Sequence, residues 1–275
     1  MAPRGACRKV NETFSIGHVV APDFLDLPAR RAKPRTAGLT HLLDKGTSTS
    51  QAAATLYAAA PYVDVWKFGW GTAYLDRALP DKLDLLRRND VRACIGGTLL
   101  EIAWSQGKAA ECLAWAGDVG FDAVEVSRGV ASMTIEAKRD LIRAASRSFA
   151  VFSEVGRKDP HDELSARQWA GEVAADLDAG ATWVIAEGRE SGTVGLYRPD
   201  GSVRVDIVAA VVRNCGAERV LFEAPRREQQ SWFIHEFGPD VNLANIAMAD
   251  ALALETLRRG LRADTFELSR QWLPA

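Results

Sequence analysis

The chain has 275 residues, 47% of them hydrophobic, and a formal net charge of −2, which is enough apolar length for one large α/β domain or two small ones. The near balance of acid and base argues against a nucleic acid or a membrane surface as partner, and no run approaches the roughly 18 apolar residues of a spanning helix. Cys7, Cys94, Cys112 and Cys215 share no CxxC or zinc-like spacing, and no apolar stretch follows the basic N-terminus as in a secretory signal, so free thiols in a reducing cytoplasm are expected.

Residues 1–35, rich in Pro, Arg and Ala without a clear period, read as a poorly ordered or peripheral lead-in. A regular alternation starts at Gly38. GLTHLLDKG (38–46) reads as a strand and SQAAATLYAAA (50–60) as a helix. YVDVWKFGWGT (62–72) is a second strand with a helix over 75–88, and VRACIGGT (91–98) a third with a helix over 108–118. FDAVEVSRG (121–129) and FAVFSEVG (149–156) are followed by helices over 134–147 and 166–179. TWVIAEG (182–188) is the sixth strand. It leads into a long irregular connection, 190–203, with a PDG turn signal, and then directly to the seventh strand, RVLFEAP (219–225). QQSWFIHEFG (229–238) is a helix, VNLANI (241–246) a short eighth strand, and MADALALETLRRGL (248–261) a closing helix. Short apolar, β-rich runs alternating with helices predict a single-domain (β/α)8 TIM barrel over 36–275. A doubly wound sheet would carry a glycine fingerprint after its first strand, and none is present.

The carboxyl end of each predicted strand carries charge or an amide: Asp44 and Lys45; Lys67; Gly96, Gly97, Thr98 and Glu101; Glu125 and Ser127; Glu154 and Lys158; Glu187 and Arg189; Glu223; Asn242 and Asn245. One such end is an ordinary solvated loop. The whole set, converging on the mouth where barrels build their sites, has no packing role. Carboxylates with Lys and Arg suit a divalent cation such as Mg2+ and an anionic substrate. The loops after the last two strands, with Glu223, Asn242 and Asn245, and the glycines of SGTVG, Gly192 among them, are expected to hold an anion. Of the histidines, His41 reads as core or wall, and His161, beside Lys158, as a weak site candidate. Ser127 and Ser153 lack a nucleophile elbow or local base. Trp66 and Trp70, flanking Lys67, read as core or mouth wall.

The motifs LTHLLDKG, VDVWKFGWGT, GGTLLE, GFDAVEVSRG, SEVGRKD, AEGRESGTVGL, LFEAP, VNLANIA and LETLRRGLRADTF, in order from 38 to 266, closely resemble the phosphosulfolactate synthase family. The resemblance implies a TIM barrel that adds sulfite to phosphoenolpyruvate in a magnesium-dependent step, giving (2R)-phospho-3-sulfolactate, the entry to coenzyme M. It also implies a cytoplasmic homo-oligomer. Sulfite attack at C3 builds negative charge on C2 and the carboxylate, which requires a neutralising cation and a proton donor on one face of C2. Lys158 matches the second basic residue of the family's EVGKK-like motif and is the expected donor, with Glu154, Lys45 and Lys67 beside it as catalytic groups. Arg189, Arg157, Gly192, Glu223, Asn242 and Asn245 are expected to bind substrate. Glu125, Glu187 and Glu101 are expected to hold the metal, with Glu154 reaching it or its waters. Where the family commonly has a VEISDG-like run, this chain has VEVSRG. Arg128 in that mouth is expected to alter anion binding or admit a different nucleophile, unless it points to solvent. The family also resembles a plant heat-stress-associated protein, which leaves a non-catalytic role as a further alternative.

Overall fold

A computed structural model describes residues 24–156 and 164–272. Eight parallel strands close in sequence order into a barrel: β1 Thr40–Asp44, β2 Val65–Phe68, β3 Arg92–Ile95, β4 Ala123–Val126, β5 Ala150–Val155, β6 Trp183–Ala186, β7 Val220–Glu223 and β8 Leu243–Ala247. Around them run α1 Thr49–Ala59, α2 Thr72–Leu75, α3 Leu79–Arg88, α4 Gly97–Ser105, α5 Ala109–Val119, α6 Ile135–Ala145, α7 Ala166–Asp178, α8 Val205–Cys215, α9 Arg227–Phe237, α10 Ala251–Arg258 and α11 Phe266–Ser269. This is the expected TIM barrel.

Strand alternation sorts the side chains into two cores. Leu39, Val65, Cys94, Ala123, Phe152, Ile185, Leu221 and Ala244 fill the barrel interior. The intervening residues, such as Leu42, Trp66, Ile95, Val124, Val184, Phe222 and Ile246, pack outward against the helices. Because the interior is filled from below, polar residues one step further along each inward-facing row are left at the carboxyl mouth. His41 is fully buried in that interior with its ring 5.6 Å from Phe152, so it is core, as expected.

Three helices lie outside the elements expected from the sequence: α4, α8 and the short α11. α8 follows the long connection, where the sequence predicts no element before β7; its VDIVAAVV run is rich in β-branched residues, yet Ile207, Val208, Ala210 and Val211 bury one helical face. α4 starts at the end of β3, so Glu101 is a residue of a helix and not of a strand end. The single helix expected over 75–88 is two, α2 and α3, with Pro80 seated in the first turn of α3.

Of the predicted lead-in, residues 24–35 are described, and they are tied to the amino end of the barrel. Arg30 pairs with Glu255 at 3.0 Å and Asp240 at 3.2 Å, and Arg35 pairs with Asp64 at 3.0 Å. Residues 1–23, 157–163 and 273–275 lie outside the described residues, and with them Lys158, Arg157 and His161.

Candidate active site

A cavity of about 580 Å³ opens at the carboxyl ends of the strands, lined by Leu43, Lys67, Gly69, Trp70, Gly97, Thr98, Glu125, Val130, Glu154, Glu187, Arg189, Glu190, Ser191, Glu223 and Asn245. Its floor is built from β2, β4, β5, β6 and β7. Lys67 projects inward from β2 and is 5% exposed. Its Nζ donates to Glu125 Oε2 at 2.8 Å and lies 3.8 Å from Glu223 Oε1. Burial alone would lower its pKa, but the charges of Glu125, Glu223 and Glu154 outweigh that and raise it, which favours the ammonium form.

The backbone of the strand-end turns aims the acids. Gly97 N–H donates to Glu125 Oε1 at 2.9 Å, leaving Oε2 for Lys67. Gly188 N–H donates to Glu223 Oε2 at 2.8 Å, and Arg189 N–H to Glu187 Oε1 at 2.7 Å. Gly156, directly after β5, sits at φ +139°, and a Cβ there would lie 2.5 Å from the Cβ of Glu187. Only glycine lets β5 end beside that carboxylate. One oxygen from each of Glu154, Glu187 and Glu223 comes within 4.8 Å of the others, a spacing that one divalent ion could bridge. Burial, with the nearby charges of Glu154 and Glu125 in support, raises the Glu223 carboxyl to about 7 against the opposing pull of Lys67.

The sequence expectations divide on these facts. Lys67, Glu125, Glu154, Glu187, Arg189, Glu223 and Asn245 are all brought to one cavity. Within it, Glu125 is the counter-ion of Lys67 and lies outside the three-carboxylate group, whereas Glu223, expected on substrate, belongs to that group. Four expectations do not fit. Glu101 is 1% exposed and its carboxylate accepts from Ser127 Oγ and the N–H groups of Gly129, Val130 and Ala131, so it folds the β4–α6 loop and does not belong to the three-carboxylate group. Asn242 precedes β8, at the amino end of the barrel. Its side chain accepts from Leu39 N–H at 2.9 Å and donates to the carbonyls of Glu218 and Val220, so it is structural and remote from the mouth. Gly192 turns its N–H to the Arg189 carbonyl and its own carbonyl to Gln229, so no donor of its backbone is left for an anion. Lys45 stands exposed on the rim, paired with Glu190, and is not part of the cavity wall.

Arg128 also stays out of the cavity. It reaches Glu172 of α7 at 3.7 Å and is largely shielded there. Asp44 points outward, where it accepts from Trp66 Nε1 at 3.0 Å and from Gly46 and Thr47 N–H, so Trp66 is core. Trp70 is 46% exposed and forms the wall of the mouth. Ser153 likewise faces outward, bonded to Asp176 at 2.6 Å. The residues the sequence did not single out, Leu43, Gly69, Val130 and Ser191, line the cavity through loop geometry and carry no chemical signal of their own.

A closed parallel barrel with its ionisable side chains gathered at the carboxyl mouth defines the class of the molecule, a TIM-barrel enzyme. Residues 28–264 match the family model described as (2R)-phospho-3-sulfolactate synthase, and the chain belongs to that family. It is 42% identical over 252 residues to a phosphosulfolactate synthase of Bacillus subtilis, covering 90% of this chain and 99% of that protein. To the phosphosulfolactate synthase of Methanothermobacter thermautotrophicus it is 43% identical over 249 residues, covering 88% and 96%. The protein HEAT-STRESS-ASSOCIATED 32 of Arabidopsis thaliana matches over only 82 residues at 33% identity, covering 30% of this chain and 27% of that protein. A crystal structure of 3-hexulose-6-phosphate synthase superposes with a TM-score of 0.51 at 17% identity, over 80% of this chain and 98% of that one, a likeness of fold alone. Among the described residues, no helix is long and apolar enough to cross a membrane.

Proposed function

We propose that this chain joins sulfite to phosphoenolpyruvate, with Mg2+, to give (2R)-phospho-3-sulfolactate. The observation that carries the reading is the union, in one cavity of a phosphosulfolactate synthase family member, of three clustered carboxylates with the buried ammonium of Lys67. Carboxylate oxygens are the donors a hard cation prefers, and Glu154, Glu187 and Glu223 would hold it. When bound, the cation supplies positive charge to the substrate carboxylate as negative charge develops there.

The protein's own groups do the rest. Lys67 and Arg189 offer fixed positive charge to the anionic substrates, which repel one another in water and must be brought together. The sulfur lone pair of sulfite forms the C–S bond at C3, and the C2–C3 π electrons move toward C2 and the carboxylate. A proton then reaches C2 from one face, with Lys158, a few positions beyond Glu154 in the chain, as the donor and Arg157 beside it as a phosphate or sulfite contact. Glu125 keeps Lys67 charged and in place. Access to cytoplasmic substrates and a homo-oligomeric assembly belong to the same reading. The free, buried Cys94 thiol suits a reducing compartment.

Two alternatives lose their motive. Arg128 pairs with Glu172 outside the cavity, so it gives no ground for a changed nucleophile. The heat-stress protein shares less than a third of the chain, whereas the acids and the lysine of the mouth span β2 to β7. The test is incubation with phosphoenolpyruvate, sulfite and Mg2+, followed by mass spectrometry, with arms lacking sulfite and containing a chelator. An adduct that requires all three components is expected. An adduct formed equally well under chelation would overturn the cation assignment, and no adduct at all would overturn the reaction.

A further inference from the structure

The end of β8 departs from regular strand geometry at one residue. Against β1, Thr40 pairs with Leu243 but Leu42 pairs with Ile246, so β8 holds one more residue than its partner over that step. That is a β-bulge, a device that re-aims a side chain. Plain alternation from Ala244, which points into the barrel, would send residue 245 outward and residue 246 inward. Instead Ile246 packs in the outer core and Asn245 lines the mouth. Asn245 reaches this position at φ +55°, a left-handed conformation that asparagine tolerates better than most residues. Trp70 and Arg189, which line the same cavity, share this backbone state, at φ +53° and +55°. Departures of this kind concentrate at functional sites.

The side chain that the bulge delivers is 8% exposed, and its Oδ1 is buried without a hydrogen-bond partner among the described residues. A buried acceptor left without a donor is costly and points to a missing ligand. Its chemistry narrows the ligand. Fully ionised phosphate, carboxylate and sulfite groups offer oxygens and no donors, so they cannot satisfy an amide oxygen. A cation, or a water polarised by one, can. The location agrees: Glu223, one of the three clustered carboxylates, pairs across the sheet with Ala244, the residue before Asn245.

We infer that Asn245 is a further member of the cation site, its Oδ1 taking the divalent ion or one of the ion's waters beside Glu223. The inference rests on the cation reading of the carboxylate cluster. Groups that orient or complete a metal's shell typically change its affinity by about 10-fold to 100-fold when removed.

The test is Mn2+ binding to the full chain without substrates, followed by electron paramagnetic resonance of the free ion. The wild type is compared with Asn245→Ala, Asn245→Gly and Asn245→Asp, with Glu223→Gln as control. Asn245→Gly is the informative variant, because glycine adopts positive φ without strain and removes only the amide. Both Asn245→Ala and Asn245→Gly are expected to weaken Mn2+ binding about tenfold, and Asn245→Asp, which still presents an oxygen, to retain it. Loss in the alanine variant alone would mean that position 245 matters for its backbone, and the inference would fall. Unchanged Mn2+ affinity with a raised KM for phosphoenolpyruvate would mean that the amide reads the substrate, and the inference would fall again. If Mn2+ binds and Glu223→Gln abolishes it while all three Asn245 variants bind normally, only this inference fails. If the wild type binds no Mn2+, the cation reading fails with it.

Discussion

Both ends of the barrel bury charge, and they resolve it in opposite ways. At the amino end, Arg35 and Asp64 form a shielded pair, Arg30 is held between Glu255 and Asp240, and the fully buried Arg258 donates to the carbonyls of Val241 and Leu39. Every one of those cations has a fixed protein partner close by, and together they tie residues 30–35 and α10 to the strands. At the carboxyl end, five glutamates line an open cavity together with Lys67 and Arg189, and one of them, Glu190, pairs with Lys45 on the rim. Charge balanced by the protein is scaffold. Carboxylates gathered around an open cavity, with Glu125, Glu187 and Glu223 aimed by backbone N–H groups, make a site shaped for a ligand.

The largest effect is expected where the two kinds of charge meet. Lys67→Met removes the central cation of the mouth and leaves Glu125 and Glu223 buried together. Turnover is expected to fall by at least about 10³, and denaturant unfolding to show a loss of about 3–5 kcal/mol. Near-normal turnover would show that the mouth does not depend on this charge. The complementary break is at the base. Arg35→Ala, which strands Asp64, is expected to cost about 3 kcal/mol of stability while leaving kcat/KM of the folded enzyme within about twofold. A large kcat/KM change there would end the division between scaffold and site. Gly156→Ala should come next, since it places a Cβ against Glu187 at a φ that alanine rarely adopts. A stability cost of about 1–3 kcal/mol is expected, together with a measurable rise in the Mn2+ dissociation constant.

The acid limb of stability tests the layer between the two ends. Burial, then the charge of Lys67, holds the His41 imidazole well below its ordinary pKa. The unfolded chain therefore binds a proton that the folded chain refuses. Stability from the neutral ring is present above pH 6.5 and is lost as pH falls below it. His41→Phe, tested by thermal melts across that window, is expected to flatten part of the acid slope. An unchanged slope would place its origin elsewhere. The smallest effect belongs to the rim. Lys45 pairs with Glu190 in the open, and Lys45→Ala is expected to change stability by about 0–1 kcal/mol. A severe loss of activity in that variant would promote Lys45 from rim to site.

The architecture was legible in the chain because the alternation of β-rich apolar runs and helices is a local, periodic signal. The same periodicity marked the strand ends, so Lys67, Glu125, Glu154, Glu187 and Glu223 stood out before any fold was known. α8 was not expected because its four valines and one isoleucine favour strand by propensity, and only the face they bury marks the stretch as helix. What the tertiary structure decided was which side each polar group faces and what it meets there. Asp44 and Lys67 each sit near a strand end, yet one step of alternation sends the first to Trp66 and the second to the carboxylates. Asn242 and Asn245 lie three positions apart on one short motif, yet strand direction puts the first at the base, and a bulge turns the second into the mouth. A sequence records the spacing of residues along a strand. The inward or outward sense of each side chain, and the register slip that reverses it, exist only once neighbouring strands are paired.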